Sequence, residues 1–235
     1  MTEPATSVGD GRAQALVAGA WDASFEWGWF EPEWWGQKAR AVDDGGRGSA
    51  WFIDSQPPMV LRRYQRGGLM ARLSRSTYLY LGRERTRSFS EFRLLEYMKA
   101  LELPVPAPIA AAAWRTGPVG YQAAILVERL YGTRALGSIV GTLGNDAWRA
   151  VGRTIHDFHE AAICHADLNC FNILLSDEGV YLIDFDKGQL RGKGYGWRDR
   201  NLQRLHRSLE KLAWPESGIS LEEAWAQLLQ GYRSG

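Results

Sequence analysis

Three polar residues in the second half of the chain stand at a spacing that indicates chemistry. Asp167 and Asn172 are five residues apart, and Asp184 follows after two apolar segments and a turn. The segments Ile173-Leu174-Leu175 and Tyr181-Leu182-Ile183 have the composition of short buried strands. Carboxylates rarely stand beside such strands unless they are paired or bind a metal. The pattern His-x-Asp-x-x-x-x-Asn, with a second Asp after the next strand, is typical of phosphoryl-transfer sites.

Phosphoryl transfer gives each of the three residues a role. The reaction needs alignment, neutralisation of the charge on the moving phosphoryl group, and a base near the attacking hydroxyl. Asp167 is the predicted base, a role that contributes on the order of 10²–10⁴-fold in rate. Asn172 and Asp184 are the predicted Mg²⁺ ligands, because this cation takes one or two protein oxygens together with nucleotide phosphates. The alternative that Asp167 and Asn172 only cap turns does not explain three such residues together.

A glycine-containing turn upstream is a candidate for nucleotide binding. Gly46-Arg47-Gly48-Ser49 lies between two segments with strand-like composition. Backbone N–H groups of such a turn bind phosphate, so we expect Gly46, Gly48 and Ser49 to contact the nucleotide. A plain hairpin turn has the same composition, and this alternative stays open.

The strand that follows this turn ends at Arg62 and Arg63. Enzymes of the protein-kinase type carry a lysine on such a strand, where it contacts the α- and β-phosphates. Residues 61–87 contain no lysine, so an arginine would have to serve. Neighbouring side chains of a strand point to opposite faces, and we expect Arg62 to face the nucleotide and to pair with Glu91. Two other acids compete as partners: Glu84 and Glu96.

Basic residues are concentrated in the same region. Residues 61–87 hold eight arginines and one acid, a charge of +7, which leaves −6 elsewhere because the whole chain carries +1. Guanidinium groups suit phosphate and carboxylate, so the segment predicts an anionic ligand or surface. The alternative is a solvated basic face. Residues expected to contact the substrate are Arg63, Arg66, Arg72 and Arg75. The near-neutral net charge of the whole chain argues against a nucleic-acid partner.

Helical patterns flank both groups of candidates. Residues 88–101 have an apolar stripe and the capping-box spacing of Ser88 and Glu91. A second helix leads to His165, and a third follows Asp184. The apolar positions are Phe89, Phe92, Leu95 and Met98 in the first, Trp148, Val151, Ile155 and Phe158 in the second, and Leu202, Leu205, Leu209 and Leu212 in the third. A short terminal helix is predicted over 221–229.

This order of elements predicts an α+β, bilobal, protein-kinase-like fold with a small β-rich N-lobe and a short helical C-lobe. We expect an N-terminal arm and Trp-rich segment in residues 1–40, the N-lobe in 41–130 and the C-lobe in 131–235, with a cleft between the lobes. Glu128, near the junction, is assigned to nucleotide binding.

The first 35 residues divide into two segments of different character. Residues 1–20 are expected to form a loose arm, since they are small and polar with no clear period. Five tryptophans lie between Trp21 and Trp35. They are expected to pack on a neighbouring lobe, the alternative being insertion into a lipid interface.

Composition and cysteine use predict a cytosolic protein. Cys164 and Cys170 do not form a secreted disulfide framework, and the N-terminus lacks a signal-peptide pattern. The longest apolar run, 107–114, is far shorter than the roughly 20 residues that span a bilayer. Zinc binding by His156 and His159 is not favoured, because no Cys-x-x-Cys accompanies them. His165 is expected to brace the loop that holds Asp167.

With these residues in view, the chain resembles the lipopolysaccharide kinases, and more narrowly the 3-deoxy-D-manno-octulosonic acid (Kdo) kinases. The resemblance covers roughly residues 30–212. The segments that carry it are Trp34-Trp35-Gly36, Gly46-Arg47-Gly48, Val60 to Leu69, Phe92-Arg93-Leu94-Leu95, Val105-Pro106-Ala107-Pro108, His165 to Asn169, Leu182 to Asp186 and Asn201-Leu202-Gln203-Arg204-Leu205.

The resemblance implies a peripheral enzyme at the cytoplasmic face of the inner membrane of a Gram-negative bacterium. It would use ATP to phosphorylate the 4-hydroxyl of a Kdo sugar on a lipid A precursor, in lipopolysaccharide core biosynthesis, with Asp167 as the catalytic Asp. Two residues depart from the wider protein-kinase pattern. Asn169 stands where that pattern often has a lysine, and Asp186 stands where it has a glycine after the Asp-Phe pair. About fifty residues follow Asp184, too few for a peptide-binding platform, so no protein substrate is expected. The expected partners are a lipid-linked Kdo acceptor and an anionic membrane surface.

Two alternatives stay open. An aminoglycoside-phosphotransferase-type kinase shares the loop, but its cationic substrates favour acidic surroundings rather than the basic segment 61–87. A catalytically silent, membrane-binding pseudokinase is favoured by the missing lysine and disfavoured by retention of the three polar residues.

Overall fold

The protein is described here by a computed structural model over residues 5–42, 49–64, 77–192, 194–215 and 218–235. Internal contacts divide the chain into two compact units. The N-unit comprises Met1–Glu96 and Pro106–Arg129, and the C-unit comprises Tyr97–Val105 and Leu130–Gly235. The N-unit is rich in strands and the C-unit in helices, which confirms the predicted α+β class.

An antiparallel eight-stranded sheet forms the framework of the N-unit. Its main path runs β1, β2, β7, β8, β5, β4, β3, and β6 pairs with β8. The strands are β1 (Thr6–Gly9), β2 (Ala13–Val17), β3 (Ala39–Ala41), β4 (Ala50–Ile53), β5 (Met59–Arg63), β6 (Tyr78–Leu79), β7 (Pro108–Arg115) and β8 (Gly120–Glu128). The register of β5 against β4 and β8 places Arg62 between Ala50 and Ile125.

The apolar run that is too short to span a membrane is a central strand of this sheet. It forms most of β7, between β2 and β8, and Ala110, Ala111 and Ala112 are fully buried there. Because β2 pairs with β7 from Ala13 to Val17, the prediction of a loose arm over residues 1–20 was wrong for the described part, residues 5–20. A five-residue strand of small side chains has no strong pattern, and its pairing partner lies about one hundred residues further along the chain.

The Trp-rich segment, which ends in the short helix α1 (Pro32–Trp35), packs against the sheet of its own unit. Trp29 and Phe30 are buried in the same core cluster as Leu61 of β5 and Leu126 of β8. Other aromatic residues pack against that cluster from partly buried positions: Trp21, Phe25, Trp27 and Trp35. Packing was therefore correctly predicted, but the surface that receives these rings is the sheet of the same unit.

Helix α2 (Arg87–Ala100) matches the prediction to within one residue at each end. Its predicted apolar stripe is buried at every position. The capping box was not confirmed, because Ser88 Oγ donates to the Ala112 carbonyl at 2.8 Å. Glu91, its expected partner in the box, accepts hydrogen bonds from Arg62 instead.

The C-unit contains the helices α3 (Leu136–Ile139), α4 (Asn145–Glu160), α5 (Tyr195–Leu209) and α6 (Leu221–Ser234). The predicted apolar face of α4 is buried throughout. Two glycines allow α4 and α6 to approach closely. A Cβ on Gly152 would lie 2.0 Å from the Leu228 carbonyl oxygen, and one on Gly231 would lie 2.1 Å from that of Arg149.

Two small sheets complete the C-unit. The first has the order β12 (Gly179–Leu182), β11 (Ile173–Ser176), β9 (Arg134–Ala135), and the second pairs β10 (Ile163–Cys164) with β13 (Gln189–Leu190). The hairpin β11–β12 is the pair of buried strands predicted from the sequence. None of the helices in the described ranges is long and apolar enough to cross a bilayer.

Candidate active site

The loop between β10 and β11 and the residues that follow β12 bring the three predicted polar residues to one region of the C-unit. Asn172 Nδ2 donates to the Asp167 carbonyl at 3.0 Å, which closes the loop across five residues. The Ile183 N–H donates to the Asn172 carbonyl at 3.0 Å, next to Asp184. Hydrogen bonds therefore join Asp167 to Asn172 and Asn172 to the residue before Asp184, although the three polar residues are distributed over 18 residues of sequence.

His165 braces this arrangement, as predicted. The Asp167 N–H donates to His165 Nδ1 at 3.1 Å, so Nε2 carries the proton and donates to the Ile183 carbonyl at 2.9 Å. The residue is only 3% exposed to solvent. Burial lowers the pKa of His165, although the hydrogen bond to Ile183 and the charges of Asp184 and Asp167 act in the opposite direction. The imidazole is therefore a neutral structural link between the loop and the hairpin.

Asp184 has a backbone conformation that few residues adopt. Its φ is +66°, in the left-handed region, where a non-glycine residue stores strain. The following residue, Phe185, is buried and stacks on Phe158 of α4 at a centroid distance of 5.7 Å. Phe185 also lies against the His165 ring at 4.5 Å. The buried Phe185 ring therefore fixes the chain in the conformation that presents Asp184.

The Asp167 carboxylate is paired with an arginine for which the sequence predicted no role. Arg204 Nη1 donates to Asp167 Oδ1 at 2.5 Å. The two side chains are 48% and 56% exposed. Arg204 lies within the Asn201–Leu205 segment that carries part of the family resemblance, but nothing in the sequence indicated which acid it meets.

The donor atoms of the loop and hairpin fit Mg²⁺. Because the Asn172 amide nitrogen is used by the Asp167 carbonyl, its oxygen is the side-chain atom left to bind a cation. Asp184 adds a carboxylate, and a hard cation that keeps several waters needs one or two such protein oxygens. Over the described ranges, no three His, Cys, Asp or Glu side chains form a metal-binding group. The pair is thus suited to a cation that also binds nucleotide phosphates.

In the N-unit, the ion pair predicted between Arg62 and Glu91 is present. Two parallel hydrogen bonds of 3.2 Å join the guanidinium to the carboxylate. Glu91 is 2% exposed, and Tyr64 Oη also donates to it. Such bidentate geometry fixes the guanidinium plane. The competing acids Glu84 and Glu96 bind Arg83 and Arg93.

Arg63 points away from this pair, as strand geometry requires. Its guanidinium donates to the Phe30 carbonyl and forms an ion pair with Glu31. Its predicted role in substrate binding stays a prediction.

The remaining candidates are only partly described. Ser49 is half-buried, and its carbonyl accepts from the Arg63 N–H at 2.8 Å. Glu128 ends β8, and its N–H donates to the Ala107 carbonyl at 2.8 Å. Their roles toward the nucleotide stay predictions. Five candidates lie outside the described residues: Gly46, Gly48, Arg66, Arg72 and Arg75.

A β-rich unit with an Arg–Glu pair and a helical unit with an Asp, Asn and Asp set define a protein of the kinase class. Residues 32–232 match the lipopolysaccharide kinase (Kdo/WaaP) family. The chain belongs to this family and is a phosphotransferase, which confirms the resemblance drawn from its sequence.

Its relatives carry a more particular name. The chain is 50% identical over 206 residues to the 3-deoxy-D-manno-octulosonic acid kinase of Xanthomonas euvesicatoria pv. vesicatoria (strain 85-10), covering 86% of this chain and 82% of the relative. It is 49% identical over 210 residues to the protein of that name in Stenotrophomonas maltophilia (strain K279a), covering 88% and 84%.

A solved structure shows the same fold. WaaP in complex with acyl carrier protein superposes with a TM-score of 0.59 at 14% identity, over 94% of this chain and 89% of that chain.

Proposed function

We propose that this protein transfers the γ-phosphoryl group of ATP to the 4-hydroxyl of a Kdo sugar on a lipid A precursor. The observation that carries the proposal is the loop–hairpin junction, where hydrogen bonds join Asp167 to Asn172 and Asn172 to Ile183, the residue before Asp184. The name shared by relatives at about 50% identity supports Kdo as the sugar. Membership of the same family disfavours the aminoglycoside-type and catalytically silent alternatives.

In this proposal Asp167 acts on the acceptor. Its carboxylate is more than half exposed, so an incoming hydroxyl can reach it. Arg204 occupies Oδ1, which leaves Oδ2 to accept the hydroxyl proton. His165 and Asn172 hold the main chain on either side of this carboxylate and so fix its position.

The other residues serve the nucleotide. The Asn172 oxygen and the Asp184 carboxylate would hold Mg²⁺, which supplies positive charge to the phosphates when bound. Arg62, fixed by the buried Glu91, would take the place of the lysine that contacts the α- and β-phosphates. Gly46, Gly48, Ser49 and Glu128 complete the proposed nucleotide contacts.

We also propose that the enzyme acts at the cytoplasmic face of a bacterial inner membrane without spanning it. The arginines of residues 61–87 would attract anionic lipid, with each basic residue near such a surface adding about 1 kcal/mol. Arg63, Arg66, Arg72 and Arg75 would meet the carboxylate of the sugar or the phosphates of its lipid. Salt screens exposed charges over about 8 Å at physiological ionic strength, so vesicle binding should weaken as salt rises.

The test is incubation with γ-labelled ATP and Mg²⁺, with the Kdo-bearing lipid A precursor in one arm and the Kdo-free lipid in the other. Mass analysis should find one added phosphate only in the Kdo arm, and fragmentation should place it on O4. Phosphate on the bare lipid, or on another hydroxyl, would contradict the proposal. The Asp167→Asn variant in both arms controls for contaminating kinases.

A further inference from the structure

The loop that holds Asp167 has no cationic side chain of its own. Residues 165–172 contain neither lysine nor arginine. Asn169 stands where the wider kinase pattern often has a lysine, and its side chain is used within the loop. Its Nδ2 donates to the Asp167 carbonyl at 3.0 Å, and its Oδ1 accepts from the Phe171 N–H at 2.9 Å. Any protein cation beside Asp167 must therefore come from another element.

Helix α5 supplies that cation. Three of its residues, spaced i, i+3 and i+7, lie on one face and contact the end of β10 and the loop at three successive points. The contacts are Asn201 Nδ2 to Cys164 Sγ at 3.8 Å, Arg204 Nη1 to Asp167 Oδ1 at 2.5 Å, and Ser208 Oγ from the Cys170 N–H at 2.9 Å. The buried neighbours Leu202, Leu205 and Leu209 anchor the helix. Arg204 is therefore placed by two flanking contacts of its own helix.

The Arg204 guanidinium is fixed at one corner and open elsewhere. A guanidinium has five N–H donors, and Asp167 accepts from one nitrogen. The side chain is 48% exposed, so its other donors face solvent beside the proposed base. An ion pair this exposed contributes little to stability. A positive charge held next to the base is instead well placed to act on a group that reacts there.

We propose that Arg204 is a catalytic residue that contacts the moving phosphoryl group in the transition state. This inference rests on the proposed function. As the acceptor oxygen bonds to the γ-phosphorus, the bond from that phosphorus to the β–γ bridging oxygen breaks and ADP leaves. The hydroxyl proton passes to Asp167 Oδ2. The charge spread over the phosphoryl oxygens is balanced by Arg204, as an arginine finger does in other phosphoryl-transfer enzymes.

The experiment compares Arg204→Ala and Arg204→Lys with Arg207→Ala, an exposed arginine on the same helix. Steady-state assays use ATP, Mg²⁺ and the Kdo-lipid acceptor, and wild-type turnover in the same assay tests the proposed function separately. We expect kcat to fall on the order of 10²–10³-fold in Arg204→Ala, with the KM for acceptor nearly unchanged. Arg204→Lys should retain part of kcat, and Arg207→Ala should match wild type.

A binding measurement separates catalysis from structure. Affinity for Mg·ADP alone should be the same in Arg204→Ala and wild type. Affinity for Mg·ADP with aluminium fluoride, which mimics the moving phosphoryl group, should fall at least tenfold in the variant. Thermal unfolding of the two proteins should agree, because the ion pair is exposed.

Two results would overturn the proposal. One is an unchanged kcat with a raised KM for acceptor, which would make Arg204 a binding group for the sugar carboxylate. The other is equal loss of affinity for Mg·ADP with and without the fluoride, which would make the arginine a general nucleotide or structural contact.

Discussion

At the level of single residues, the roles that we propose in the C-unit follow from the hydrogen-bond partners of each Asp167 atom. Arg204 donates to one carboxylate oxygen of Asp167, His165 accepts from its N–H, and both Asn169 and Asn172 donate to its carbonyl. In the proposed mechanism, the second carboxylate oxygen is the atom that accepts the hydroxyl proton. This division of contacts separates the function of the Asp167 side chain from the structural role of its main chain.

Asp167→Asn should therefore remove activity and preserve the fold. The amide has nearly the same shape but cannot accept the acceptor's proton, so kcat should fall on the order of 10²–10⁴-fold. The measurement is phosphate transfer to Kdo-lipid, with circular dichroism to verify folding. The matched control is Asp177→Asn, at an exposed residue in the turn between β11 and β12. If Asp167→Asn keeps most of its turnover, Asp167 is not the base.

Arg62→Ala should raise the KM for ATP more than Arg63→Ala does. Arg62 is held in a bidentate pair with the buried Glu91, whereas Arg63 is held at the Phe30 carbonyl and Glu31. Initial rates over a range of ATP concentrations, at saturating acceptor, give the comparison. The reverse order of KM values would move the phosphate contact to Arg63.

At the level of elements, the packing of α4 against α6 bears on the site, because α4 leads into β10 and the loop that holds Asp167. A methyl group on Gly152 would collide with main-chain atoms of α6, which cannot rotate away. By contrast, a methyl group on Gly196 of α5 would meet only the end of the Arg200 side chain, at 3.6 Å.

Gly152→Ala should lower the free energy of unfolding by roughly 2–3 kcal/mol, because overpacking against backbone forces the helices apart. Gly196→Ala should raise it slightly, because alanine loses less conformational entropy than glycine on folding and Gly196 lies in the first turn of α5. Urea unfolding followed by circular dichroism measures both. Equal stability of the two variants would show that α4 and α6 separate without penalty.

For the molecule as a whole, stability should depend on pH through a buried histidine. His159 of α4 is 1% exposed and hydrogen-bonds to Tyr232 Oη of α6 at 2.8 Å. Burial lowers the pKa of His159 to about 4, although a hydrogen bond with the Asn201 side chain acts to raise it. Between pH 6.5 and 4 the unfolded chain binds a proton that the folded chain does not, so the unfolding free energy falls as pH falls.

The loss from His159 over this interval should approach about 3 kcal/mol, and the lowered pKa of His165 adds to it in the same direction. Urea unfolding at pH 7.5 and pH 4 measures the difference. His159→Gln should reduce the difference, and His206→Gln, on a partly exposed residue of α5, should leave it unchanged. An equal pH dependence in His159→Gln and wild type would exclude His159 as its source.

Local patterns predicted much of the fold correctly. The stripe from Phe89 to Met98 and the strands beside Asp184 are strongly apolar at the right periods, and burial of such patterns is nearly obligatory. Strand β2 was missed because its small residues become a strand only when β7 lies beside them. The predicted capping box did not form, because the Ser88 hydroxyl donates instead to the Ala112 carbonyl of β7.

The sequence alone dictated that this chain carries Asp167, Asn172 and Asp184 at a phosphotransferase spacing, since periodicity and motif are local properties. It also dictated that an arginine would stand where a lysine is usual. Only the tertiary structure decided that Arg204 meets Asp167, because that pair spans 37 residues and depends on how α5 packs. An ion pair between exposed side chains leaves no periodic signal, so its partners emerge only when packed helices bring them together.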